Sequence, residues 1–222
     1  EMRKAMAFHL AGDQHLSVVT HHGIENFRDG PVTFVSPALI NNYYSRWWWP
    51  EGGEAGANPI EDSPLPWTGD YLDGLGNKIT MIAYANPDPE STRRGKRDPN
   101  EDWADGYGLV RFDKKAQTVV FECWSRFADL SKGDAGQYPG WPMKFNMSQN
   151  DGREAVAYLP ELSFKGISNP VVQVVNEATG EELYTTRVQG KSYRPKVYAK
   201  GNYTIRVGEG RPILKSVSGV QS

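Results

Sequence analysis

The chain of 222 residues carries 25 Lys and Arg against 27 Asp and Glu, a formal net charge of -2. That balance gives no electrostatic case for general nucleic-acid binding, which needs a basic face to neutralise phosphates. A mean hydropathy of -0.61 describes a soluble chain with no run long enough to cross a bilayer, and the single cysteine, Cys123, rules out an internal disulfide and a thiolate zinc cluster.

Residues 7–11 form a short apolar run that reads as a buried strand, broken by Gly12. Asp13 and His15 follow, two residues apart. On extended backbone they project to the same side, so a carboxylate and an imidazole can converge on one ion, and Gly12 permits the sharp turn. Zinc, iron and manganese suit that pair, and the carboxylate also suits calcium. The plainer alternative is a capped turn with Asp13 accepting backbone N–H bonds and His15 on the surface.

Ser17 or Thr20 is placed to cap a helix through residue 28, whose positive end would face the Asp13–His15 turn and favour phosphate. Adjacent His21 and His22 cannot share a helix face, so at most one reaches that turn. Residues 32–36 read as a second buried strand ended by Pro37. Residues 38–50 then gather Tyr43, Tyr44, Trp47, Trp48 and Trp49. These rings either staple an irregular segment to the domain or wall a pocket, and Arg46 among them either pairs with a substrate phosphate oxygen or makes an ordinary ion pair.

Residues 51–77 are rich in Gly, Pro and acidic side chains and read as a solvated excursion or a rim. A strand follows over 78–85. Residues 90–105 carry Arg93, Arg94, Lys96 and Arg97, offset by Asp98, Glu101, Asp102 and Asp105, as in a surface loop. Residues 107–112 and 118–124 read as a hairpin, with Cys123 packed in its core. Loop-rich sequence over 129–150 leads to a boundary near Asn150. Beyond it lies a small β module with strands at 170–176, 182–188, 196–199 and 202–207.

Gly12-Asp13-Gln14-His15-Leu16-Ser17 resembles the last metal-binding motif of PhoD-like alkaline phosphatases. These belong to the calcineurin-like metallophosphoesterases, whose usual closing motif is Gly-His-x-His, with Asp for the first His common in the PhoD-like branch. Residues 106–113 and 119–124, with Tyr138-Pro139-Gly140-Trp141-Pro142, look like the hairpin and Gly-Trp-Pro segment that close the phosphatase domain there. The resemblance spans the first two thirds of the chain. It implies an α/β (α+β) fold in which residues 1–150 form the C-terminal part of a two-sheet metallophosphoesterase sandwich flanked by helices; the short alternating strands beyond, at residues 151–222, read as a small β-sandwich-like module.

The same resemblance implies metal-dependent hydrolysis of a small phosphomonoester or phosphodiester, with Asp13 and His15 as metal ligands and His15 in the catalytic centre; the planar fork of Arg46 makes it the candidate substrate contact. Calcium with iron is the implied pairing, with zinc or manganese as alternatives. The family's earlier ligand motifs are missing from the few residues upstream, so an N-terminal companion fragment is expected to complete the site. Family members exported by the twin-arginine route point to a periplasmic or extracellular location. Two rival readings are a non-catalytic glycan- or cell-envelope-binding β protein and a structural half of a nicked enzyme.

Overall fold

Valine, threonine and aromatic residues recur in short runs closed by glycine, proline and aspartate, a composition suited to pleated surfaces. In the computed structural model, which describes residues 1–39, 46–87 and 104–222, those runs form strands throughout. The helical pieces among the described residues are short 3-10 turns, so the expected flanking helices are not found there. The chain divides into two units, Phe8–Asn150 and Asp151–Ser222, the second also taking in Glu1–Ala7. Tyr43, Tyr44 and the charged stretch at 90–103 lie outside the described residues.

In the unit Phe8–Asn150, β1 (His9–Ala11), β2 (Ser17–His22), β3 (Val32–Val35), β4 (Gly69–Leu72) and β5 (Lys78–Ala85) build one sheet in the order β1-β3-β2-β5-β4. β1 runs parallel to β3, and the other pairings are antiparallel. β6 (Gly106–Asp113), β7 (Thr118–Ser125) and β8 (Met143–Asn146) form a second, antiparallel sheet. Alternation puts Val19, Phe34 and Ala83 of the first sheet into one apolar cluster with Val119, Phe121 and Phe145 of the second. Phe34 stacks on Phe121 at 5.0 Å between ring centroids, and each such ring contributes roughly 1.5–3 kcal/mol by burial. Gly106 sits where a Cβ would stand 1.8 Å from the Trp124 carbonyl oxygen, so this close crossing of β6 and β7 excludes any side chain.

Three expectations are corrected here. Residues 17–22 are strand, not helix: the β-branched run Val18-Val19-Thr20 pairs on both sides, with β3 and with β5. The following residues cannot continue as helix because the buried Asp29 carboxylate accepts the N–H groups of Ile24, Glu25 and Asn26 at 2.6, 3.1 and 3.0 Å. Gly23 lies 2.4 Å, at a hypothetical Cβ, from the Asn26 carbonyl oxygen, which packs the turn tightly. The second correction concerns β1, an edge strand with His9 and Leu10 exposed, not a buried one. The third is β4, which lies within the presumed excursion over 51–77.

The second unit contains β9 (Ala157–Tyr158), β10 (Leu162–Ser163), β11 (Val171–Asn176), β12 (Glu182–Arg187), β13 (Ser192–Tyr193), β14 (Lys196–Val197), β15 (Asn202–Gly208) and β16 (Lys215–Gln221). An antiparallel sheet in the order β12-β11-β15-β16 is accompanied by the pairs β10 with β13 and β9 with β14. Val172, Val174, Tyr184, Tyr203 and Ile205 fill its core. The two buried phenols donate to backbone carbonyls, Tyr184 to Lys196 at 2.9 Å and Tyr203 to Ala199 at 2.7 Å. At its start, buried Asp151 accepts a two-pronged bond from Arg153 at 2.7 and 2.8 Å and one from the Tyr198 hydroxyl at 2.6 Å. Burial opposes ionisation of Asp151, but these donors together hold its carboxyl below the usual range.

Candidate functional site

Parallel β1 and β3 open their carboxyl ends onto one edge of the larger sheet, the edge where strand ends and connecting loops gather to build sites in parallel sheets. Residues 12–16 turn there between β1 and β2. The stems are fastened: Ser36 N–H donates to the Ala11 carbonyl at 2.8 Å, and the buried Ser17 hydroxyl donates to the Val35 carbonyl at 2.8 Å. Within the turn, Asp13 has φ 64° and His15 φ 55°. Both are left-handed, so the same-side projection expected of an extended backbone does not apply. Asp13 is exposed and His15 half-buried.

The backbone brings Arg46 to this turn, its N–H donating to the His15 carbonyl at 2.8 Å. The segment is held again two residues on, where the Asn86 side chain accepts from Trp48 N–H at 2.8 Å and donates to the Trp48 carbonyl at 2.9 Å. Asp13, His15 and Arg46, chosen from the sequence, are therefore neighbours along the chain path. The Arg46 side chain is exposed.

Beside them the aromatic residues do pack as staples. Trp48 meets Tyr71 edge-on at 5.2 Å, Trp49 meets Trp67 at 4.6 Å, and Trp67 stacks on Tyr84 at 6.0 Å. Indole N–H groups of Trp48 and Trp67 donate to the carbonyls of Trp67 and Gly53. Two rings stay open to solvent, Trp49 at 60 % and Trp47 at 37 % exposure.

A second concavity of about 330 Å³ involves His21, Arg28, Thr80, Met143, Lys144 and Gln149. His21, Thr80 and Asp70 lie side by side across β2, β5 and β4. Arg28 donates through Nε to Asp70 Oδ1 at 3.1 Å and through Nη2 to the Asn58 carbonyl, while Asn58 Nδ2 donates to Asp70 Oδ2 at 3.0 Å. His21 Nε2 lies 2.9 Å from the Gly30 carbonyl. Burial lowers its pKa against the opposing pull of the Gly30 and Gln149 carbonyls. The helical reading hid this group, whereas strand alternation from Val19 through His21 would have placed it on the core face.

Among the described residues no group of three or more His, Cys, Asp or Glu is arranged to hold a metal ion. The turn at 12–16 carries one carboxylate and one imidazole, two of the ligand types that metal sites use. No family model matches the chain, and neither a curated protein nor a solved structure does.

Proposed function

We propose that the chain takes part in metal-dependent hydrolysis of phosphoric esters, with Asp13 and His15 holding an ion on the turn at residues 12–16. The observation that carries the reading is the 2.8 Å bond from Arg46 N–H to the His15 carbonyl, which ties the backbone of a guanidinium-bearing residue to the turn that carries both donors. The resemblance of Gly12-Asp13-Gln14-His15 to the closing motif of PhoD-like phosphatases supports it. A metal ion bound there supplies Lewis acidity toward phosphoryl oxygens and lowers the pKa of water. This chain's residues hold the ion through Asp13 and His15 and orient the ester through the planar fork of Arg46. Calcium and iron are the favoured ions, with zinc or manganese as alternatives, in a periplasmic or extracellular setting.

Elemental analysis with an aryl phosphodiester assay tests the reading. Asp13→Ala and His15→Ala each remove bound metal and activity together, while Arg46→Ala raises KM with metal retained. Metal content unchanged in both ligand variants refutes it.

A second reading, binding of a glycan or cell-envelope surface, is favoured by the open rings of Trp47 and Trp49 beside the packed ring cluster. It expects binding to soluble glycans that ignores chelators and disappears in Trp49→Ala.

A further inference from the structure

His9 and His22 stand apart from the turn at residues 12–16, toward the other ends of their strands. Thr33 of β3 lies opposite His9 of β1 on one side and opposite Thr20 of β2 on the other. His22, two residues beyond Thr20, projects from the same face of the sheet. His9 Nδ1 is 3.2 Å from Thr33 Oγ1, and His22 Nε2 is 2.8 Å from the same oxygen. The two ring nitrogens therefore lie no farther apart than the sum of those distances. A hydroxyl has one proton, so it donates to one imidazole and accepts from the other, and both rings are aimed at a single point.

That arrangement is rigid and reachable. Thr33 is buried at 4 % exposure, whereas His9 is exposed and His22 half-buried. The three side chains ride on three hydrogen-bonded strands, so binding costs little ordering of the backbone. Burial, with a smaller contribution from His9, lowers the pKa of His22, which keeps its lone pair available to a Lewis acid near neutral pH.

We propose that His9 and His22 form a binding site for one borderline divalent cation of the Zn²⁺, Ni²⁺ and Cu²⁺ class, with water completing the coordination. Imidazole nitrogen suits these ions, and Cu²⁺ binds tightest among them. The hard ions Ca²⁺ and Mg²⁺ require oxygen donors and are rejected by this pair. Without the ion, the Thr33 hydroxyl bridges the rings and keeps them convergent; with it, the hydroxyl gives up that bridge.

The test is a titration of the 222-residue chain carrying Asp13→Asn and His15→Gln, so that the turn at residues 12–16 contributes nothing. NiCl₂ is added while heat and histidine ring resonances are followed. One equivalent binds, and the ring signals of His9 and His22 broaden before that of His21. His9→Gln and His22→Gln each weaken binding by roughly tenfold or more, since even loss of a group supporting a ligand costs that much. Because His9 is exposed, His9→Gln keeps the fold and decides the matter if His22→Gln does not. Ni²⁺ binding that survives His9→Gln, or CaCl₂ competing on equal terms, overturns the proposal.

Discussion

At the scale of single residues, burial decides reactivity. Cys123 is fully buried, donates to the Ser17 hydroxyl at 3.2 Å, and has its thiol pushed up to about 12 by burial. Native protein in mildly alkaline buffer is expected to show no reaction with an aromatic disulfide reagent, and denatured protein one thiol per chain; rapid labelling of the native state would contradict this. Asp151 is the opposite case, a buried carboxylate kept ionised. Removing it as Asp151→Ala strands the Arg153 guanidinium, which is only 17 % exposed, and is expected to cost roughly 3 kcal/mol in urea unfolding. Its folded pKa lies below the ordinary 3.8, so its contribution is present above that value and lost as pH falls below it. The wild-type and variant unfolding curves should therefore converge on acidification below 3.8 and stay apart at neutral pH.

Among the elements, the turn after β2 shows what a short polar side chain can organise. Asp29→Ala leaves three backbone N–H groups without their acceptor and is expected to cost roughly 2–4 kcal/mol. Amide exchange at Ile24, Glu25 and Asn26 should quicken most, and unchanged exchange there would show that the carboxylate is not the organiser. This turn also marks where sequence reading loses its grip. Strands β3, β5, β6 and β7 are legible because β-branched and aromatic residues alternate between clear turn signals. β2 is read as helix because two histidines and a glycine obscure the alternation that its pairing partners enforce. β16 escapes notice because its two apolar residues, Val217 and Val220, stand three apart across a register shift and so break the two-residue alternation of a strand, and β4 because it is buried in a loop-like composition. For the site, the residue types at Asp13, His15 and Arg46 are visible in the sequence. Their left-handed backbone is not, since neither aspartate nor histidine demands it, and the tie from Arg46 spans 31 positions that no local pattern links.

Over the whole molecule, tryptophan is unevenly shared: all seven, from Trp47 to Trp141, fall within Phe8–Asn150 and none in the second unit. Indole fluorescence thus follows the first unit alone. In Asp151→Ala, protection of the β11 and β15 amides is expected to fall while the native emission maximum stays put; a shifted maximum would show that the substitution reaches the indoles. β2 supplies a last consequence. Its six residues, Ser17–His22, rise about 3.4 Å each at most, so its ends lie no more than roughly 17 Å apart along a doubly paired strand whose register with β5 shifts between Val19 and Thr20. With Cu²⁺ at His9 and His22 and a spin label on the turn at residues 12–16, the strand acts as a molecular ruler. Dipolar coupling between the two electron spins would then gauge whether β2 keeps its length as the protein is heated or acidified.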